Sequence, residues 1–363
     1  MCSVNTDSRP VCLADFERLA AAVLPADVRD YIAGGSGTET TLAANRAALD
    51  RVAVVPRMLA GSEVITETRL LRTDTSMPVA VAPMAYQRLV HPDGELALAA
   101  AAADAGVPYV ISTMSSATIE EIAATGADVW FQLYWQREHA AVEKLVDRAV
   151  DAGCSALMVT VDVPILGRRL RDLRNAFALP GDVLAANLAD PSAPVAHAHA
   201  TGTSALATHT SEVFAPGLGW HQIEWLRDQI GIPLVVKGIL DPRDARLAVD
   251  AGADAVVVSN HGGRQLDGAI PSVTALPAVI DAVGDDCEVL LDSGIRSGTD
   301  VLRALALGAS GVLVGRPLMW ALAVDGAKAA LWLLHREVQD AFTLAGCRDP
   351  ESARDLVVSQ CPT

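Results

Sequence analysis

Basic side chains are scarce in this sequence of 363 residues. Its 28 Lys and Arg face 44 Asp and Glu, and the net charge at pH 7 is −16. Proteins that bind nucleic acid need a positive surface to meet the phosphates, and anionic membranes attract basic segments in the same way. The charge balance therefore argues against nucleic acid and against a membrane surface as partners.

Long apolar runs are missing as well. The longest uninterrupted ones, such as residues 96–103, have eight residues, whereas a helix needs ~20 to span a bilayer. The N-terminal residues 1–7 show no basic region followed by an apolar one, so no signal peptide is predicted. Six cysteines are scattered without a Cys-x-x-Cys pair, which predicts reduced thiols and no metal site. We therefore expect a cytoplasmic protein.

Hydrophobic residues are plentiful, at 51% of the chain, and from residue 79 onward they form a repeating pattern. Eight short apolar runs alternate with stretches that carry helix signals. Each run is continuously apolar, which is typical of parallel strands buried on both faces. The runs are Val79–Ala82, Pro108–Ile111, Val129–Leu133, Ala156–Val161, Leu234–Lys237, Ala255–Ser259, Glu288–Leu291 and Gly311–Val314.

The stretches between these runs predict helices. Residues 95–105 and 138–152 are followed by Gly106 and Gly153, and glycine commonly ends a helix. Eight strand–helix units in a row favour an α/β fold in which the strands close into a TIM (β/α)8 barrel. An open, doubly wound sheet is the alternative, but no Gly-x-Gly-x-x-Gly follows the first run.

A single domain is expected over residues 1–363. Residues 79–340 would form the barrel, and residues 1–78 would add helices over 13–24 and 40–49 and a segment that closes the barrel floor. Residues 163–218, after the fourth strand, are rich in Ala, Pro, Ser and Thr and have no Lys or Arg between Arg174 and Arg227. Loops of such length are usually functional or mobile, which predicts a mobile active-site loop. An insertion without a role is the alternative.

Polar residues collect where the predicted strands end, and in such barrels this is where catalysis takes place. Burying ionisable groups at several strand ends is costly without a purpose. The polar set is Ser112, Gln132, Tyr134, Thr160, Asp162, Lys237, Ser259, His261, Arg264, Asp292, Gly315 and Arg316.

Two features of this set predict chemistry. The last two strands end in Asp292–Arg296 and in Gly315-Arg316, and glycine amides with guanidinium groups suit a phosphate-bearing cofactor. The sixth strand ends in SNHGGRQLDG, residues 259–268. There, a histidine can take a proton, an arginine can hold a carboxylate, and the glycines allow a tight turn beside a flat ligand.

The SNHGGRQLDG run resembles the FMN-dependent 2-hydroxy acid oxidase and dehydrogenase family, which includes glycolate oxidase, lactate oxidase and mandelate dehydrogenase. The resemblance spans nearly the whole chain. Its other segments are Asp30-Tyr31, Phe131–Tyr134, Thr160–Arg169, Val235–Ile239, Gly294–Ala309 and Val314–Pro317. It implies an enzyme with bound FMN that oxidises a small 2-hydroxy acid to the 2-keto acid. Homotetramers are common among such relatives.

The resemblance also implies residue roles. His261 would be the base, Asp162 would orient it, Tyr134 would hydrogen-bond the substrate oxygen and Lys237 would lie at the flavin N1–O2 edge. The implied substrate-binding residues are Tyr31, Tyr134, Arg169, Arg264 and Met114. The implied cofactor-binding residues are Pro83, Met84, Ala85, Ser112, Gln132, Thr160, Lys237, Ser259, Asp292, Ser293, Gly294, Arg296, Gly315 and Arg316.

Three residues depart from the glycolate oxidase pattern. Met114 stands where a Trp is usual, Met84 stands where a small polar residue is common, and Tyr86 follows close by. A flexible Met in place of a rigid ring would admit a larger, aromatic side chain, although neutral drift is the alternative. The segments 33–39, 82–88 and 168–172 are similar to the actinobacterial 4-hydroxymandelate oxidases. Those enzymes form 4-hydroxyphenylglyoxylate from (S)-4-hydroxymandelate for nonribosomal peptide antibiotics.

The electron acceptor is expected to be O2, which would yield hydrogen peroxide. Ala85 is the residue found in oxidases of the family, and the loop after the fourth strand lacks the basic residues of a membrane anchor. A short-chain lactate or glycolate oxidase and a mandelate dehydrogenase are the alternatives within the family. A non-catalytic flavin-binding scaffold is disfavoured because His261 and both arginines of the carboxylate clamp are present.

Overall fold

A computed structural model describes residues 9–60, 63–188, 214–215 and 217–360. Its strands are β1 (Val52–Val54), β2 (Thr68–Leu70), β3 (Thr73–Thr75), β4 (Val79–Val81), β5 (Tyr109–Ser112), β6 (Val129–Leu133), β7 (Ala156–Thr160), β8 (Leu234–Ile239), β9 (Ala255–Val258), β10 (Glu288–Leu291), β11 (Gly311–Val314) and β12 (Val358–Gln360). Strands β4 to β11 close into a parallel barrel, with β11 paired to β4. The predicted TIM barrel is confirmed, and each predicted strand lies within two residues of an observed one.

Most helices of the described residues alternate with the barrel strands along the chain, and further helices precede the first barrel strand and follow the last one. They are α1 (Leu13–Val23), α2 (Ala26–Ala33), α3 (Thr40–Asp50), α4 (Gly94–Ala105), α5 (Ile119–Ala123), α6 (His139–Asp151), α7 (Leu170–Arg174), α8 (Trp220–Gln229), α9 (Pro242–Asp250), α10 (Ser272–Val283), α11 (Gly298–Ala306), α12 (Arg316–Leu322), α13 (Ala327–Ala345) and α14 (Pro350–Ala353). None of these described helices is both long and apolar enough to cross a bilayer.

The barrel interior is built in layers because side chains alternate along each strand. A buried apolar cluster fills the lower layers, and it consists of Leu70, Ala80, Ala82, Val110, Trp130, Ala156, Met158, Val235, Ala255, Val257, Leu290 and Leu313. Two residues further along the chain, the same inward-facing register carries polar groups on six of the eight strands. These are Ser112, Gln132, Thr160, Lys237, Ser259 and Asp292. The alternation therefore places a polar layer directly above an apolar one.

The hairpin of β2 and β3 lies at the amino ends of the barrel strands. Leu70 is fully buried and packs into the interior cluster, and a Cβ at Gly311, where β11 begins, would lie 2.7 Å from its Cδ2 atom. The backbone N–H of Leu71 donates to the carboxylate of Glu288, the first residue of β10. These contacts bring the segment before residue 79 to the end of the barrel opposite the polar layer.

The N-terminal segment contains one helix that the sequence analysis did not predict. Helices α1 and α3 match the predicted ranges 13–24 and 40–49 closely, but α2 lies between them. It begins after Pro25 and ends at Gly34, and proline at a helix start with glycine at its end is a recognised signal. The C-terminal end of α2 reaches the mouth of the barrel, as described below.

The segment after β7 is more regular than predicted. The expectation of an irregular stretch over 163–218 is wrong for residues 170–174, which form α7. Phe177 stacks on Tyr31 of α2 with ring centroids 4.6 Å apart, and Phe214 contacts Tyr134 with centroids 5.0 Å apart. Residues 189–213 and 216 of the predicted mobile loop lie outside the described residues.

Candidate active site

His261 and Asp162 form a hydrogen-bonded pair above the carboxyl ends of two barrel strands. The Nδ1 atom of His261 lies 2.9 Å from Oδ1 of Asp162. Burial would raise the pKa of Asp162, but His261 and Lys237 outweigh it and lower that pKa. With Asp162 ionised, Nδ1 carries the proton and donates it, which leaves the Nε2 lone pair of His261 free to accept a proton.

The pKa of His261 is lowered. Burial is the largest influence and lowers it, Asp162 opposes the shift, and Lys237 adds to the lowering. A neutral imidazole is the form that can act as a base. The environment of His261 therefore favours the reactive form around neutral pH.

The backbone that carries His261 is a tight left-handed turn. His261, Gly262 and Gly263 have φ values of 57°, 65° and 73°. A Cβ at Gly263 would lie 2.6 Å from the backbone nitrogen of Leu42, and one at Gly262 would lie 2.6 Å from Nη1 of Arg316. Both glycines are therefore required by conformation, and Gly263 is also required by space, whereas a side chain at Gly262 would displace the Arg316 guanidinium.

Lys237 and Asp292 form a second buried pair on the polar layer. The Lys237 Nζ atom lies 3.1 Å from Oδ2 of Asp292 and donates to the hydroxyl of Ser259 at 3.2 Å. Burial alone would lower the pKa of Lys237, but Asp292 and Asp162 outweigh it and raise that pKa. The ammonium group thus keeps its charge, and its third N–H is left for a ligand.

Four guanidinium groups surround the same region, and none of them has a carboxylate partner in the part of the chain that the structure describes. No Asp or Glu of the described residues lies within the 4.0 Å ion-pair distance of Arg169, Arg264, Arg296 or Arg316. Burial lowers the pKa of Arg264 to about 10, with Arg169 adding to the effect, and it lowers the pKa of Arg296 and Arg316 as well. Buried, unpaired cations are unfavourable, so this arrangement calls for bound anions.

The C-terminal end of helix α2 accepts hydrogen bonds from two of these arginines. Nη1 of Arg264 donates to the carbonyls of Tyr31 and Gly34, each at 2.8 Å. Arg316 donates through Nε to the Ile32 carbonyl at 2.9 Å and through Nη2 to the Gly34 carbonyl at 3.0 Å. The last carbonyls of a helix lack partners within the helix and attract cations. The end of α2 therefore fixes both guanidinium groups at the mouth of the barrel.

These side chains border one central cavity that encloses about 980 Å³, including the part open to solvent. Most of the predicted site residues line it. The lining comprises residues 31, 32, 82–85, 112, 134, 169, 237, 261, 262, 264, 292–296, 313, 315, 316 and 319. Its apolar members Ile32, Ile295, Leu313 and Met319 were not predicted, because nothing distinguishes them in sequence from ordinary core residues.

Gln132, Thr160, Asp162 and Ser259 were predicted as site residues but are not in the cavity lining. Gln132 and Thr160 are nevertheless buried in the polar layer, and the Gln132 Nε2 and Thr160 Oγ1 atoms have no hydrogen-bond partner within the described residues. An unsatisfied buried polar atom costs ~1–3 kcal/mol, so both atoms point to a missing ligand. Amide, hydroxyl and ammonium groups suit the polar edge of a flavin ring, and the arginines suit its phosphate, so the residues present fit FMN.

The two tyrosines of the predicted substrate site reach the cavity, but Met114 does not. Tyr31 lies under Arg264, whose Cζ atom is 5.2 Å from the ring centroid, and Tyr134 lines the cavity beside it. Burial raises the pKa of Tyr134, with Asp162 adding to the effect, so its hydroxyl stays protonated. Met114 is buried in the core and its backbone N–H donates to the Ser112 hydroxyl, so its role as a wall for the substrate stays a prediction.

Comparison with known proteins identifies relatives across nearly the whole chain. The family of FMN-dependent dehydrogenases matches residues 20–360. The chain is 57% identical to 4-hydroxymandelate oxidase of Amycolatopsis orientalis, over 95% of this chain and 97% of that protein. It is 46% identical to L-lactate oxidase of a Nostoc species, over 94% of this chain and 95% of that protein.

A solved structure gives the same result for the fold. The structure of mandelate oxidase with (S)-4-hydroxymandelic acid superimposes with a TM-score of 0.94 at 55% identity, and the match covers 98% of this chain and 100% of that one. The relatives identified by sequence and by structure are thus of the kind that the cavity, its cations and its His–Asp pair indicate. The chain belongs to the family of FMN-dependent dehydrogenases and is an FMN-dependent 2-hydroxy acid oxidase of that family.

Proposed function

We propose that the enzyme oxidises (S)-4-hydroxymandelate, or mandelate, to the corresponding aryl glyoxylate and that O2 is reduced to hydrogen peroxide. The substrate loses two electrons and two protons, and O2 takes up both. One observation carries the proposal: His261, paired with Asp162 at 2.9 Å, lines the same cavity as Arg169 and Arg264, which have no carboxylate partner among the described residues. A proton acceptor beside two carboxylate-binding cations is what oxidation of a 2-hydroxy acid requires.

The chain's residues divide the work as follows. Arg169 and Arg264 bind the substrate carboxylate, and Tyr31 supports both guanidinium groups through its ring, 5.9 Å and 5.2 Å from their Cζ atoms. Nε2 of His261 takes a proton from the substrate, and Asp162 stabilises the resulting imidazolium. The Tyr134 hydroxyl donates a hydrogen bond to the substrate oxygen.

FMN supplies the two-electron acceptor when it is bound. The ring would be held by the backbone of residues 83–85 and by Ser112, Gln132, Thr160 and Ser259. Lys237 would stabilise negative charge at its N1–O2 edge. Arg296, Gly315 and Arg316 would hold the ribityl phosphate, with the backbone of residues 293 and 294, and the Asp292 carboxylate would accept hydrogen bonds from the ribityl hydroxyls.

The aryl substrate is supported by the 57% identity to a 4-hydroxymandelate oxidase, and the 46% identity to an L-lactate oxidase keeps a short-chain acid as the alternative. If the aryl substrate is correct, the enzyme would serve a pathway that consumes aryl glyoxylates, as in antibiotic biosynthesis.

The deciding experiment is an anaerobic titration of the holoenzyme with (S)-4-hydroxymandelate, its (R) enantiomer and L-lactate, followed by flavin absorbance. We expect bleaching by the (S)-aryl acid at the lowest concentration, and recovery in air with one peroxide formed for each flavin. The (R) acid is the matched control and should leave the colour unchanged. Bleaching by lactate alone would replace the aryl substrate with a short-chain one, and persistent colour with all three acids would overturn the proposal.

A further inference from the structure

Three consecutive peptide N–H groups around the base His261 are held by two serine hydroxyls. The N–H groups of Asn260 and Gly262 donate to Oγ of Ser293 at 3.3 Å and 2.9 Å. The N–H of His261 itself donates to Oγ of Ser259 at 3.0 Å. We call Ser259 and Ser293 the serine clamp. Ser293 holds the peptide groups of the residues before and after His261, and Ser259 holds that of His261 itself.

The clamp restrains a backbone that is strained at two places. His261 and Ser293 have φ values of 57° and 74°, in the left-handed region that non-glycine residues rarely adopt. Such conformations are unfavourable and persist when surrounding contacts hold them. The hydrogen bonds to Ser293 are contacts of this kind, because they tie one strained residue, Ser293, to the peptide groups on either side of the other, His261.

The hydroxyl of Ser293 has no capacity left for a ligand. Its single proton is donated to Oδ1 of Asp292 at 2.7 Å, and its two lone pairs accept from Asn260 and Gly262. The hydroxyl of Ser259 differs, since it accepts from His261 and from Lys237 at 3.2 Å and keeps its own proton free. By this count of donors and acceptors, Ser259 can bind a cofactor through its side chain, whereas Ser293 cannot.

We propose that Ser293 is a positioning residue for the base His261, which links the Lys237–Asp292 pair to the His261 turn. The chain of contacts runs from Nζ of Lys237 to Oδ2 of Asp292 at 3.1 Å, from Oδ1 of Asp292 to Ser293, and from Ser293 to the amides on either side of His261. The position of the Lys237 ammonium group is thereby coupled to the position of the His261 imidazole. The inference rests on the role proposed above for His261.

The test compares S293A and S293G with the native holoenzyme. Both variants remove the hydroxyl and keep the backbone N–H, and glycine also accepts the positive φ, so S293G should fold even if alanine is strained. We expect the rate constant of anaerobic flavin reduction to fall about tenfold or more in both variants, because small displacements of a catalytic group are costly. The Kd for FMN and the Kd for the substrate should stay within about threefold of native, because the hydroxyl contacts neither ligand.

The pH profile of flavin reduction separates positioning from a general structural defect. Burial lowers the pKa of His261, so a loosened and better hydrated turn should move the acid limb of the profile to higher pH. T75V is the matched control, since the buried Thr75 hydroxyl donates to the backbone carbonyls of Met77 and Gly106 on the opposite side of the barrel. It should leave both the reduction rate and the acid limb unchanged.

Two results would overturn the inference. If S293A and S293G bind FMN at least tenfold more weakly but reduce normally once reconstituted, Ser293 is a cofactor ligand. If the pH profile and the reduction rate match the native enzyme, the clamp has no role in positioning the base. Failure of the proposed base itself is distinguishable, because H261A would then still reduce its flavin.

Discussion

His261 is the residue on which the proposed chemistry depends most. Replacement by alanine should lower the rate constant of flavin reduction by ~10²–10⁴, the range typical of a lost general base. FMN should remain bound, because the cations and unpartnered polar atoms that suit it lie on other residues. Stopped-flow reduction and the absorption spectrum of the purified variant measure the two properties. Turnover within tenfold of native would remove His261 from the role of base.

The pH dependence follows from the lowered pKa of His261. The imidazole must be neutral to accept a proton, and its folded pKa lies below the ordinary value of about 6.5. The acid limb of kcat/KM should therefore have its midpoint below that value, with activity retained above it and lost as the pH falls through the folded pKa. D162N removes the charge that opposes this shift, so it should displace the limb further toward acid. A limb above pH ~7 in the native enzyme would contradict the assigned environment.

At the scale of elements, Arg171 joins the segment after β7 to the N-terminal helices. It binds Glu39 through Nε and Nη2 at 2.7 Å and 2.6 Å and Asp30 through Nη1 at 3.3 Å. Asp30 precedes Tyr31 on α2, and Arg171 lies two residues after Arg169. The network therefore sets the distance between the two sides of the substrate site.

R171M should raise KM for the 2-hydroxy acid about three- to tenfold with a smaller change in kcat, because it loosens the carboxylate site and leaves the His261–Asp162 pair intact. The loss of stability should be about 1 kcal/mol, since the pair is half exposed. R243M is the matched control. Arg243 also binds a carboxylate, that of Asp241, through its own Nε and Nη2 atoms, but this pair lies within a single exposed turn. Equal changes in KM for both variants would exclude a special role for the Arg171 network.

The barrel strands could be predicted because each is a continuous apolar run, as in Val129–Leu133, and parallel strands buried on both faces have this pattern. The His261–Asp162 pair was implied by the family resemblance of the segments that carry the two residues, and the structure places their side chains 2.9 Å apart. Helix α2 escaped prediction because its eight residues are too few for a clear apolar period. The pairing of β1 with β12 joins Val52 to Gln360, and short strands so far apart in sequence carry no local signal.

Ser293 illustrates what the sequence could not decide. The resemblance implied that it binds the cofactor, and Ser293 does line the cavity together with Asp292 and Gly294. Whether a serine hydroxyl contacts a ligand or its own backbone depends on distances of a few tenths of an ångström. Only the three bonds at Ser293 show that its hydroxyl is already used.

At the scale of the whole molecule, the charge distribution is strongly uneven. The chain carries a net charge of −16, yet four guanidinium groups without ion-pair partners among the described residues border the central cavity. An acidic surface with a cationic cavity concentrates anions at one place only. Because basic residues are scarce elsewhere, anionic ligands should be attracted mainly to the arginines of the cavity.

The apoenzyme should accordingly be stabilised by small anions. A ligand that binds only the folded state adds RT ln(1 + [L]/Kd) to the stability, so inorganic phosphate should raise the Tm of FMN-free protein by a few degrees over chloride at equal ionic strength. R296M should weaken this response, because Arg296 lines the cavity and its guanidinium donates only to the Ile295 carbonyl among the described residues. R18M is the control, since Arg18 lies exposed beside Asp15, and it should respond as the native protein does. An apoenzyme indifferent to phosphate would mean that the buried cations are stable without an anion, and the electrostatic argument for the cofactor site would fail.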